Sequence, residues 1–166
     1  MVRAVCLLLA RFCSAAWVGA AALFVVNGVQ EVMSPNFESA TKDQLALIRF
    51  PAYYGFGFVL VAGALLTTFV AGRKSLGSIR HVMVAILLAA SLGLMTYDWS
   101  AVYTPLRKML DPPGQTRTDA FKTLHVRSMS LNTTHVGLVF FAALALCWPA
   151  ATADRQRKQP DSVPST

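Results

Sequence analysis

The sequence predicts an all-α fold, a four-helix transmembrane bundle running antiparallel, up and down, with a disordered C-terminal tail. Three observations carry that expectation. Hydrophobic residues make up 55% of the 166 and charged residues only 14%, where a soluble domain carries roughly 25% charged. The charges collect in short segments between long stretches that have almost none. Four such stretches reach the roughly 20 apolar residues that a bilayer core requires. The length fits one domain, residues 1–150, with 151–166 as the tail.

The first helix is expected at about 4–31. Arg3 followed by CLLLA opens it as a signal peptide would, but the apolar run continues through FCSAAWVGAAALFVVNGV, broken only by Arg11. That run exceeds a signal h-region and predicts a retained helix. A polar connection follows, QEVMSPNFESATKDQ, with Ser34-Pro35-Asn36 as its breaker. The second helix is expected at 45–71, beginning through Arg49, Pro51, Tyr53 and Tyr54, aromatic residues suited to a membrane interface. GRKSLGSIRH makes the turn. The third helix is placed at 80–109, with Pro105 as a kink or break, and is stopped by Asp111-Pro112-Pro113-Gly114. The fourth covers 118–149. Beyond it ATADRQRKQPDSVPST is polar and without periodicity, hence disordered.

A formal charge of +7 raises nucleic acid as a partner. No aromatic-rich basic motif accompanies it, and the basic residues flank apolar runs, so the expected partner is the lipid bilayer and not nucleic acid. Counting Lys and Arg by membrane side gives Arg3, Arg11, Arg73, Lys74, Arg80, Arg155, Arg157 and Lys158 against Lys42, Arg49, Arg107, Lys108, Arg117, Lys122 and Arg127. The tally is nearly even. The middle loop, basic and without an acid, favours both termini in the cytoplasm of an inner or plasma membrane. Cys6, Cys13 and Cys147 all lie in apolar runs without metal-ligand spacing and read as buried thiols.

Antiparallel helices bring the end of helix one, the start of two, the end of three and the start of four to one side, where the unusual polar residues sit. The candidate cluster is Asn27, Glu31, Arg49, Tyr53, Asp98, His125, Arg127, Ser128, Asn132 and His135, with Gln30, Tyr54, Tyr97 and Tyr103 nearby. His125, Ser128, Asn132 and His135 recur at steps of three, four and three, a stripe roughly 80° wide at about 100° per residue. A stripe so narrow should face the bundle, because lipid would leave it unsatisfied. Ala20, Phe24, Asn27 and Glu31 have comparable spacing on helix one. Glu31 and Asp98 are expected to pair with Arg49, Arg107 or Arg127, since an intramembrane acid needs a partner. Replacing His125 or Asn132 should then cost more stability than replacing His81.

Two interpretations of the cluster stand side by side. Polar contacts between helices hold membrane bundles together, and intramembrane ionisable groups mark ligand, ion or proton sites. No cofactor is expected. A bis-imidazole haem needs two histidines at matching depth, whereas His81 and His125 should lie at opposite faces. His125 and His135 are about 15 Å apart on one helix. Copper or zinc lacks an HxxxH or CxxC spacing. Neither GxSxG nor HExxH occurs, which leaves no sign of an enzyme. Asn132-Thr133-Thr134 matches a glycosylation sequon but falls inside a span. Trp17, Trp99 and Trp148 read as interfacial or packing aromatics.

The segment Phe121-Lys122-Thr123-Leu124-His125-Val126-Arg127-Ser128-Met129-Ser130-Leu131-Asn132 resembles the FxxLHxxSxxxN signature of the family of transmembrane protein 205 and its bacterial relatives. Phe50-Pro51-Ala52-Tyr53-Tyr54 is similar to that family's LFPxYF-type segment, and Trp17-Val18-Gly19 fits its first helix. Arg49 stands where that pattern has Leu, and the Ala-Gly pair expected after helix one is missing, so the chain looks like a diverged branch. The resemblance implies a four-helix membrane protein without an assigned activity, and points to Phe50, Pro51, Tyr53, Phe121, Leu124, His125, Ser128 and Asn132. Function is thus expected to be that of a small multi-pass membrane protein whose polar cluster stabilises the bundle or binds a small ligand or partner, including another copy of itself. A haem or metal redox protein and a subunit of an oligomeric transporter or channel are the alternatives.

Overall fold

The computed structural model describes residues 1–149, and the expected tail at 151–166 lies outside them. Four helices are long and apolar enough to cross a membrane: α1 (Val2–Met33), α2 (Ser39–Ala71), α3 (Ser78–Lys108) and α4 (Asp119–Cys147). The connections 34–38, 72–77 and 109–118 are short, so successive helices must run antiparallel, and each long helix packs against two others in a closed ring. A single turn of helix, Arg73–Leu76, joins α2 to α3 between Gly72 and Gly77. Both glycines have φ near +75°, at 71° and 80°, a conformation that a side chain disfavours.

What faces outward is as apolar as what faces inward. Leu8 is 64% exposed, Val59 71% and Ile86 62%, a surface that water would not tolerate and acyl chains would. The protein is a multi-pass membrane protein. Its core is built around Trp17, which has no exposed surface and is therefore a packing aromatic and not an interfacial one. The indole rests on the backbone of Gly57. A Cβ built there would lie 2.5 Å from the indole Cη2 and 2.7 Å from Met95 Cε, so only glycine lets α1, α2 and α3 approach this closely.

One boundary, the start of α2, and the course of the chain around Pro51 and Pro105 differ from or refine what the sequence indicates, each for a physical reason. α2 begins at Ser39 and not near 45, because its polar first turns are held by tertiary contacts that apolar patterning does not register. Pro51 accordingly lies inside α2 and not at its start, as membrane helices allow. α3 does not break at Pro105. Residues Asp98–Tyr103 form a π-helical turn, after which Thr104–Lys108 continue as α-helix with Pro105 in the first turn. The wider turn falls just ahead of the missing proline N–H, and it leaves both Val102 and Tyr103 buried although they are consecutive.

At the end of the bundle that carries Met1, α4 finishes on carbonyls with no helical partner. Arg11 Nε donates to Leu146 O at 2.8 Å, and Arg80 donates to the carbonyls of Trp148 and Pro149. Of the cysteines, Cys6 and Cys13 are half-buried and Cys147 is exposed on the outer surface. The expectation of three buried thiols is corrected, since a helix apolar on all sides gives no signal of which face looks outward.

Candidate functional site

α2, α3 and α4 meet at Asp98. Its carboxyl is fully buried, ten residues before the end of α3 and so about 15 Å along the axis. Tyr54 Oη donates to Asp98 Oδ2 at 2.6 Å, and Ser128 Oγ donates to the same oxygen at 3.2 Å. Asp98 Oδ1 is buried without a hydrogen-bond partner among the described residues. One helical turn to the side, Tyr53 Oη donates to Asn132 Oδ1 at 2.6 Å. Tyr53 itself stacks on Phe24, centroids 4.2 Å apart, and lies against Trp17 at 4.7 Å. Thus two adjacent tyrosines of α2 reach two different residues of α4, one directly and one through Asp98.

Deeper in the bilayer, seven residues or about 10 Å along the helices, Ser91 Oγ donates to the backbone carbonyl of His135 at 3.1 Å. The His135 side chain has no exposed surface, and both ring nitrogens lack partners among the described residues. Its ring lies nearly parallel to Trp17, 13° off, with centroids 6.1 Å apart. Trp99, Tyr103 and Tyr54 form an aromatic cluster, with centroids 5.0 to 5.2 Å apart, and the Tyr103 hydroxyl is buried without a partner among the described residues.

Towards the membrane surface the acids are handled differently. Glu31 pairs with Arg49, as the sequence suggested, and Gly28 makes room, a Cβ there falling 3.3 Å from the Arg49 guanidinium. Asp43, 1% exposed, pairs with Arg117 and accepts from the Gly114 backbone N–H at 2.8 Å. Asp98 forms no ion pair with Arg49, Arg107 or Arg127. Arg127 is exposed on α4, where its guanidinium lies over the Tyr97 ring at 5.4 Å and donates to the Tyr97 hydroxyl.

The cluster read from the sequence is therefore partly assembled. Tyr53, Asp98 and Ser128 are buried close together with Asn132 half-buried beside Tyr53, His135 is buried deeper, and Glu31 with Arg49 sits half-buried at the rim. Asn27, His125 and Arg127 are exposed. The first two turns of α4 contain no buried residue, so the stripe becomes interior only from Ser128 onward, and His125 stacks on Phe121 instead, centroids 5.9 Å apart. On α1 the inward face is Ala10, Ser14, Trp17 and Ala21, continued by Phe24 and Glu31, which turns Asn27 outward. His81, expected to be the unimportant histidine, is 7% exposed and packs edge-on against Phe69. Sequence reasoning missed Asp43, Ser91 and Gly57. Only the helical spacing of Ser91 with Asp98 carried a trace of this arrangement.

Among the described residues no three His, Cys, Asp or Glu side chains gather where they would hold a metal ion. Side chains fill the space around Trp17. Two pockets lie elsewhere, an open groove of about 570 Å³ on the outer face of α3 and one of about 240 Å³ beside Arg117 and Phe121. Compared with family models, curated proteins and solved structures, the chain matches none of them.

Proposed function

We propose that this multi-pass membrane protein binds a small cationic ligand inside its bundle, with Asp98 as the anchoring group. One observation carries the proposal: Glu31 and Asp43 each have an arginine, whereas the fully buried Asp98 has only two hydroxyl donors on one oxygen. Burying a carboxyl at membrane depth is costly unless charge or hydrogen bonds compensate. Tyr54 and Ser128 fix the orientation of the carboxyl and leave Oδ1 as the point of contact. The Tyr103 hydroxyl, on a ring 5.2 Å from that of Tyr54, is a second polar group within the same aromatic cluster. The π-helical turn that starts at Asp98 adds to the case, since such turns recur at functional sites.

A second reading has its own support. The tight seating of Trp17 on Gly57 leaves little room, and a filled polar core acts as a lock that fixes helix register. Asp98→Asn separates the two, because asparagine still offers an oxygen to Tyr54 and Ser128 but removes the charge. Thermal unfolding of the protein in lipid nanodiscs, titrated with Na+, K+ or a small protonated amine at constant ionic strength, should show a midpoint that rises with one of these in the wild type and stays flat in D98N. A flat wild-type response with an equally stable D98N would leave the lock.

Kinship with the family of transmembrane protein 205 belongs to the same proposal. Its support is that Ser128 and Asn132, two positions of the signature, are the α4 side chains used by the interior hydrogen bonds. The termini are assigned to the cytoplasmic side of an inner or plasma membrane.

A further inference from the structure

We infer that the outer face of α3, at the end of the bundle carrying Met1, is a binding site for one anionic glycerophospholipid. The 570 Å³ groove there is lined by Arg73, Ser78, Ile79, Val82, Met83, Ile86 and Leu87. Its wall is apolar from Ile79 to Ile86, about 10 Å along the helix, and Ile79 is 87% exposed with no other helix covering it. An acyl chain lying along the helix fits that shape and chemistry.

Charge selects the headgroup. Arg73 lines the groove and Lys74 follows it in the same helical turn; both are exposed, and neither forms an ion pair among the described residues. All six acids of residues 1–149 lie towards the opposite end of the bundle or, like Asp98, in its interior. The neighbouring Arg80 is occupied by the carbonyls of Trp148 and Pro149, so Arg73 and Lys74 are the free cations of the segment that leads into α3. α3 starts at Ser78 without a side-chain cap, which leaves its first N–H groups directed at the same headgroup level. A phosphate with a net negative headgroup meets two guanidinium or ammonium groups and a helix N-terminus while its tail covers Ile79, Val82 and Ile86. A zwitterionic lipid brings a second, repelled cation.

Native mass spectrometry of the full chain, released from micelles containing equal amounts of phosphatidylglycerol and phosphatidylcholine, tests this. The wild type should retain one phosphatidylglycerol in preference to phosphatidylcholine by roughly tenfold or more, given two basic groups near an anionic headgroup. R73Q/K74Q should reduce that preference to near parity. Val82→Trp should fill the groove and lose the lipid with both charges kept, and Arg3→Gln, at the same membrane end but outside the groove, should leave the preference intact. Equal retention of the two lipids by the wild type, or an unchanged preference in R73Q/K74Q, would overturn the assignment. Neither result depends on Asp98.

Discussion

Gly57 has no chemistry of its own, yet the interior depends on it. Its missing side chain is what allows the Trp17 indole and Met95 to meet the α2 backbone. Gly57→Ala places a methyl inside that contact, and overpacking of this kind costs about 1–3 kcal/mol. Trimming the indole in W17F/G57A should recover part of the loss, a non-additive result expected of residues in contact. Unfolding midpoints of the two single variants and the double variant in one detergent check it, and additive losses would contradict the contact. The histidines give a second comparison. His81→Ala should lower the midpoint more than His125→Ala, because His81 is buried against Phe69 and His125 is exposed. The sequence predicts the opposite order. The spacing of His125, Ser128, Asn132 and His135 identified a face, but a face becomes interior only over the length where a neighbouring helix covers it. That length is set by tertiary packing, which periodicity does not contain.

Among elements, the connection between α3 and α4 has the least regular structure and one firm anchor. Asp43, in the second turn of α2, accepts from Gly114 N and pairs with Arg117, so the start of one helix holds the loop that precedes another. Gly114 has φ 89° and lies against Ala40, which brings the loop backbone within reach of the carboxylate. Asp43→Ala should cost about 1–3 kcal/mol, the range for stranding a buried hydrogen-bonding partner. Arg117→Gln should cost less, since Arg117 is 35% exposed and its charge stays hydrated. Hydrogen exchange of residues 109–118 should accelerate in D43A and little elsewhere; uniform acceleration of the whole bundle would show that Asp43 acts on global stability and not on this loop. The extra turns of α2 that carry Asp43 look like a polar connection in the sequence because nothing apolar marks them. The π-helical turn in α3 was equally hidden. Pro105 signalled a disturbance, but the bundle absorbed it by widening a turn upstream.

For the whole molecule, the four spans are legible because the length of an apolar run is a local property, while orientation rests on the middle loop alone, because Lys and Arg counts on the two sides are nearly equal. The structure distinguishes cations that are engaged from those that are free. At the Asp43 end Arg49, Arg117 and Lys122 pair with acids, Lys42 donates to the Val32 carbonyl at 2.7 Å, and Arg127 lies on Tyr97, which leaves Arg107 and Lys108. At the Met1 end Arg3, Arg73 and Lys74 are exposed, and no acid offsets Arg11 or Arg80, whose partners are carbonyls. Within residues 1–149 one end thus carries five bases and no acid, and the half of the molecule beyond it seven bases offset by six acids. The anionic cytoplasmic leaflet attracts unopposed cations, and Lys and Arg near span ends are retained on that side. Both termini should therefore be cytoplasmic. A C-terminal fluorescent-protein fusion should be bright and a C-terminal alkaline phosphatase fusion inactive. Neutralising Arg73, Lys74 and Arg80 together should produce a mixed or inverted population, since the two ends would then differ little in free cations. If the wild type carries its phosphatase outside, the paired arginines of the Asp43 end count as fully as free ones during insertion, and the structural distinction between engaged and free charge has no bearing on topology.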